Sequence, residues 1–198
     1  RRLAIERHVA LREYGASPAG LSDVVMLTPE SKVEARRLEY PDITVEPLKF
    51  SSAEIGPEGW RFLLGAVGNE SLYIRQLVAI MRRFRSGLTP ERLKEEIKLS
   101  ALDPKVEKIA MDRIALAEPY IDDSKRLGEL LRPGRTVIVD LRDEWVEKTE
   151  ALGLFVVMLR IFGAATFNGE AFSKLVVFDE AHKYINESDL IGEVVGTI

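Results

Sequence analysis

Apolar positions along the chain fall into two rhythms. Residues 23–28 form a short valine-rich run, the pattern of a buried strand. Residues 43–50, with Pro41 before them and Ser51-Ser52 after, read as a second, half-buried strand. From Pro57 the spacing lengthens to that of a helix. Trp60, Phe62, Leu63 and Leu64 open one helix, and Asn69 suits the N-cap of the next. Ile74, Leu77, Val78, Met81 and Phe84 share a face there, with Arg75, Arg82, Arg83 and Arg85 mostly opposite, and Gly87 ends it. Thr89-Pro90-Glu91 and Asp103-Pro104 each pair a capping residue with a proline at the first helical position. Residues 116–131 continue in helical rhythm. Residues 1–15 also look helical, followed by a Ser/Pro/Gly loop.

The period then shortens again. Pro133-Gly134 turns the chain into residues 135–141, RTVIVDL, a buried strand by composition. Residues 144–162 predict a helix that is apolar nearly all round from Leu152 onward and so belongs inside, with Gly163 as its C-cap. A loop holding Asn168-Gly169 leads to residues 174–179, KLVVFD, which read as another buried strand, with helix resuming after Glu180. Apolar strand, helix, apolar strand implies a crossover in a parallel sheet. The expected fold class is α/β: a parallel sheet flanked by helices, with an inserted helical subdomain. Residues 1–56 would start the core, 57–131 form the insertion, and 132–198 complete the core. A separate helical domain over 57–131 is the alternative.

Composition narrows the chemistry. The 198 residues are 46% apolar and 30% charged, with a net charge of −4, the balance of a globular chain rather than a disordered or uniformly basic one. A local basic groove remains compatible with an acidic total. The absence of cysteine excludes disulfides, thiolate metal sites and cysteine nucleophiles. His8 and His182 are far apart, which argues against a histidine metal site. The apolar run 154–159 is too short to span a membrane, and no signal peptide is visible, so no membrane partner and a cytoplasmic location are expected. The chain starts at Arg1 rather than a methionine and ends at Ile198 inside a predicted helix, as a fragment of a longer polypeptide would.

The most informative residues are Asp179 and Glu180. Ligands of parallel α/β sheets bind beyond the carboxyl ends of the strands. An aspartate ending a buried strand there can hold nucleotide-bound Mg²⁺, as the Walker B aspartate of P-loop NTPases does. Glu180, one residue on, can orient or deprotonate an attacking water. The plainer reading is an acidic pair opening a helix. Asp140 also ends a predicted strand but is followed by Leu141-Arg142, which suits a structural role. Arg142 could sense nucleotide or form a surface ion pair. His182 could couple nucleotide state to DNA or cap a helix. Arg82, Arg83 and Arg85 could meet DNA phosphates or form a solvated face. No G-x-x-x-x-G-K-[ST] occurs, and Gly65 and Gly68 have the wrong spacing for one, so the nucleotide-cradling residues lie outside this chain or are lost.

Several segments together resemble the HerA/FtsK group of P-loop ATPases, closest to its HerA-like helicase and translocase branch. They are 24–29 ending in Thr-Pro, the helical stretch, Leu131-Arg-Pro-Gly-Arg135 leading into Val137-Ile-Val-Asp-Leu141, the long apolar helix, and Val176-Val-Phe-Asp-Glu-Ala-His-Lys-Tyr-Ile185. The resemblance covers roughly residues 20–198. It implies a RecA-like fold, a homo-oligomeric ring of six subunits, ATP and Mg²⁺ as cofactors, and movement on double-stranded DNA. In some members a nuclease partner for DNA end resection is implied, and others belong to defence systems. Asp179 would hold Mg²⁺ and Glu180 would activate water. The Walker A loop, the polar sensor and the arginine finger fall outside these residues. Two other readings stay open: a fragment of a DEAH-type superfamily 2 helicase, which shares the Asp179-Glu-Ala-His182 string, and an ATPase-like scaffold without a P-loop that binds a partner protein.

Overall fold

A computed structural model describes residue 15 and residues 21–65, 72–84 and 87–179. Its centre is a three-stranded, fully parallel sheet. Strand β1 (Val24–Thr28) lies between β2 (Thr44–Pro47) and β3 (Thr136–Val139). Met26 stands beside Val45 on one side and Ile138 on the other, and Leu27 beside Val139. Side chains of a strand alternate between faces, so the register sorts the core into two layers. Met26 and Val45 pack with Val33, against which Ile138 also rests. Val25 and Leu27 face the larger helical layer with Val137 and Val139.

Helix α1 (Val33–Glu39) connects β1 to β2. Between β2 and β3 the chain is helical: α2 (Ser52–Leu63), α3 (Leu72–Met81), α4 (Pro90–Leu99) and α5 (Pro104–Ala117). After β3 comes α6 (Lys148–Ala164), then a hairpin of β4 (Thr166–Phe167) and β5 (Glu170–Ala171). Asn168 and Gly169 both have positive φ there, 53° and 81°, as a two-residue hairpin turn requires. The helices share one apolar core with the sheet, joining Trp60, Phe62, Leu77, Leu93, Ile114 and Leu154 to Val25 and Leu27. Trp60 is fully buried, and its indole N–H donates to the Leu88 carbonyl at 2.9 Å, so no polar atom is stranded. Helices α2 and α6 are in backbone contact: a Cβ on Gly153 would lie 2.5 Å from the Phe62 carbonyl oxygen.

The local signals at Thr89 and Asp103 hold. Each side chain caps its helix, with proline at the start. Gly134 turns the chain into β3 with φ 78°. Ser51 does more than punctuate. It forms a capping box with Glu54 and starts α2 before Pro57, and Gly56, at φ 61°, kinks the helix there.

Four expectations are corrected. Residues 116–131 are not a continuous helix: α5 stops at Ala117, and 3-10 turns cover Glu118–Tyr120 and Leu127–Leu130. Pro119 supplies no N–H to extend α5. Gly163 lies inside α6, and Ala165 is the C-cap. The strand at 135–141 forms over Thr136–Val139 but is half-buried, because it is the outer strand of the sheet among the described residues. Residues 174–179 form no strand. They run past β5 without regular structure, and Leu175 is 84% and Val177 79% exposed. The run has a buried strand's composition, but no strand lies alongside it among the described residues. Its apolar side chains therefore meet solvent. The segments 1–14 and the region from Glu180 on, including the predicted helices there, lie outside the described residues, as does Asn69.

Candidate functional site

The parallel sheet directs three strand ends to one rim. Thr28 ends β1, Pro47 ends β2, and Asp140 directly follows β3. The chain leaves β1 toward β2 on one side, and β3 lies on the other. The rim between Thr28 and Asp140 is thus the topological switch point, where open α/β sheets bind ligands.

Asp140 anchors the polar residues at this rim. It is 8% exposed, and its main-chain N–H donates to the Leu27 carbonyl at 2.9 Å, fixing it beside the end of β1. Arg142 grips the carboxylate through two nitrogens, Nε to Oδ1 at 2.9 Å and Nη2 to Oδ2 at 2.6 Å, and the Arg142 main-chain N–H adds a bond at 3.0 Å. Arg36 of α1 approaches from the other side, Nε to Oδ2 at 2.8 Å, an ion-pair contact not aligned as a hydrogen bond. Arg36 also donates to the Arg142 carbonyl at 3.0 Å and pairs with Glu39 at 3.1 Å. Burial alone would push the Asp140 carboxyl up. The hydrogen bonds from Arg142 and the charges of Arg36 and Arg142 outweigh it and hold the group below its ordinary value.

A second acid, Asp143, completes the cluster. It accepts from the Ser31 hydroxyl at 2.5 Å and from the Trp145 N–H at 2.9 Å, while Lys32 bridges to Glu144 at 2.7 Å. Burial raises Asp143, but the Ser31 and Trp145 hydrogen bonds and the charge of Lys32 bring it below the ordinary range. Thr28 is fully buried, and its hydroxyl has no hydrogen-bond partner among the described residues. Near Asp143, burial pushes the Tyr120 hydroxyl above its usual range, with Glu150 adding to the rise; burial also raises Glu150.

Arg142 and Asp140 thus meet, as an ion pair. Ser31, Lys32 and Arg36 were not identifiable as rim residues from sequence. Their helical turn is highly charged, and only the fold brings it to residues 140–144. Asp179 is exposed and follows a run that forms no strand. Glu180, His182 and Arg85 lie outside the described residues. Arg82 and Arg83 are exposed, while Phe84 between them and Arg85 is buried beneath the Arg92 guanidinium, 4.5 Å from its ring centroid. Among the described residues no three histidine or acidic side chains converge as a metal cage, and no helix is long and apolar enough to cross a membrane. No known protein family, curated protein or solved structure matches the chain.

Proposed function

We propose that this chain is part of the ATP-hydrolysing core of a HerA-type DNA translocase or helicase, built on a RecA-like fold and working as a homo-oligomeric, hexameric ring on double-stranded DNA. One observation carries the reading: a parallel sheet whose third strand leads, through the long apolar helix α6, to an apolar run that ends in adjacent acids at Asp179 and Glu180. In P-loop NTPases that order of parts delivers the carboxylate for Mg²⁺.

The residues present fit part of an ATP·Mg²⁺ site. Nucleotide-bound Mg²⁺ keeps several waters and takes one or two protein carboxylates, so Asp179 alone is a sufficient acid on this side. When bound, the ion would neutralise charge developing on the phosphates. Glu180 would accept the proton of the attacking water. The rim cluster around Asp140 is internally paired and serves as scaffold: it fixes the ends of β1 and β3 and the start of the path into α6. Phosphate cradling falls to residues outside this chain, since no G-x-x-x-x-G-K-[ST] is present.

The direct test is binding of ATP with Mg²⁺ to the full-length protein, by calorimetry. Affinity in the micromolar range is expected. Absence of binding at millimolar nucleotide would overturn the motor reading and leave a partner-binding scaffold.

A further inference from the structure

The tip of the β4–β5 hairpin, Asn168-Gly169, holds the only asparagine of the chain that precedes a glycine. Asparagine is one of the thermolabile residues. Its side-chain amide is an electrophile, and the nucleophile nearest to it is the main-chain nitrogen of the next residue. A side chain on that residue crowds the approach. Gly169 has none, and even a Cβ built on it would meet nothing within 4 Å. Both residues are exposed.

The turn holds the pair at φ 53° and 81°, and Asn168 has to leave it for the Gly169 nitrogen to reach Cγ. Leaving costs little here. Strands β4 and β5 are two residues each, paired at Thr166–Ala171 and Phe167–Glu170. All four side chains are exposed, so no buried apolar face holds the hairpin closed. A hairpin without such a face is marginally stable in water, and exposed segments of this kind open locally at little cost. Gly169 also accepts the backbone angles of the open form without steric penalty.

The opening stays local. Helix α6 ends at Ala164, just before the hairpin. Just after it, the Lys174 ammonium donates to the carbonyls of Gly163 and Ala165 at 3.2 Å and 2.7 Å. Both ends of the hairpin are thus tied to the end of α6, whether or not β4 and β5 are paired.

We propose that Asn168 is a site of spontaneous deamidation in the folded protein, with isoaspartate as the main product. The Gly169 nitrogen gives its proton to hydroxide and bonds to Asn168 Cγ. The Cγ–Nδ2 bond breaks, and the leaving nitrogen takes a proton from water and departs as ammonia. Water then opens the cyclic imide at one of its two carbonyls, giving aspartate or isoaspartate. The balance is one water consumed and one ammonia released, with no oxidation or reduction. In isoaspartate the main chain runs through the former side-chain carbonyl and is one atom longer, so the two-residue turn no longer closes β4 onto β5. The new carboxylate also stands two residues from Glu170, and no lysine or arginine occurs between Arg160 and Lys174 to offset it. Repulsion between the two acids opposes closure further. The modification turns a paired hairpin into an open loop where the chain passes from α6 to the exposed run. It does not rest on the ATPase reading.

The test incubates full-length protein for days in mildly alkaline buffer, beside a synthetic peptide of residues 161–174, and then digests the protein with trypsin. Cleavage after Arg160 and Lys174 releases the same peptide, in which Asn168 is the only side-chain amide, so a mass gain reports this residue alone. Most of the protein-derived peptide should gain the mass of an amide-to-acid exchange, at a rate within several-fold of the free peptide. It should separate into two chromatographic forms. Protein carrying Asn168→Asp supplies the aspartyl standard, and the other form should be the larger. Hydrogen exchange on the aged protein should show protection lost in β4 and β5 and kept in β1 and α6. Conversion of the free peptide with none in the protein would mean that the hairpin shields Asn168, and would overturn the proposal. A single aspartyl product would rule out the imide, and unchanged exchange in β4 and β5 would overturn the opening. Nucleotide plays no part in these measurements, so failure here is separate from failure of the ATP-binding test.

Discussion

Asp140 Oδ2 lies 2.8 Å from Arg36 Nε, joining the end of β3 to helix α1, two elements distant in the sequence. Both side chains are largely withdrawn from water, at 8% and 13% exposure. The contact holds the crossover helix against the rim at which β1 and β3 end. Arg142 completes the neutralisation from the solvent side, at 64% exposure.

Replacing Asp140 with Asn should therefore destabilise the fold by about 2 kcal/mol, the scale of losing charged hydrogen bonds and stranding a partly buried guanidinium. Arg142→Ala should cost less, about 0.5 kcal/mol, because an exposed ion-pair partner contributes little. Urea unfolding of both variants checks the ranking, and equal losses would contradict it. The Asp140 carboxyl is held below its ordinary value. Its contribution is therefore fully present above that value, about 3.8, and is lost as pH falls through the lower folded value. The gap between wild type and Asp140→Asn should thus close only in strong acid.

The close approach of α2 and α6 makes Gly153 intolerant of any side chain. In Gly153→Ala the added Cβ would meet the Phe62 carbonyl at 2.5 Å, a backbone atom that cannot turn aside. A loss of about 2–3 kcal/mol is expected, the scale of overpacking in a tight core. Gly134→Ala, in open space but at φ 78°, should cost about 1 kcal/mol from backbone strain alone. Thermal unfolding midpoints separate the two.

Glu54 ties the start of α2 to the turn before β3. It accepts from the main-chain N–H of Ser51 at 3.2 Å, Leu127 at 2.9 Å and Gly128 at 2.7 Å. Glu54→Ala should lower stability by about 2 kcal/mol through the unpaired amides. Hydrogen exchange at Leu127 and Gly128 should rise more than in the sheet. A uniform increase would show that the loss is global rather than local.

On the proposed motor function, Glu180→Gln in the full-length protein should bind ATP as the parent does and hydrolyse it at least 100-fold more slowly, the scale of losing a general base. Steady-state turnover checks this. Parental turnover in the variant would remove Glu180 from that role.

Much of the architecture is legible from short-range rules. Strand β1, the caps at Thr89 and Asp103, the turn at Gly134 and the apolar helix α6 each follow from spacing and capping chemistry within a few residues. Helix α1 leaves no such signal, because only Val33 of its seven residues is buried and it shows almost no apolar periodicity. The rim cluster is illegible in the sequence for a different reason. Ser31, Lys32 and Arg36 meet Asp140, Asp143 and Glu144 across the fold, and no local pattern marks such pairs.

The run at 174–179 divides the two kinds of information most clearly. Its sequence determines that it is apolar, β-branched and closed by two acids, and hence that it favours an extended, paired state. Whether it is paired depends on an edge elsewhere in the fold, because a strand's hydrogen bonds are satisfied by its neighbour and not by itself. Sequence alone thus determined the periods, the caps and the acids at Asp179 and Glu180. Tertiary structure alone decided that β3 is the outer strand among the described residues, that Asp140 is neutralised by Arg36 and Arg142, and that Leu175 and Val177 face solvent.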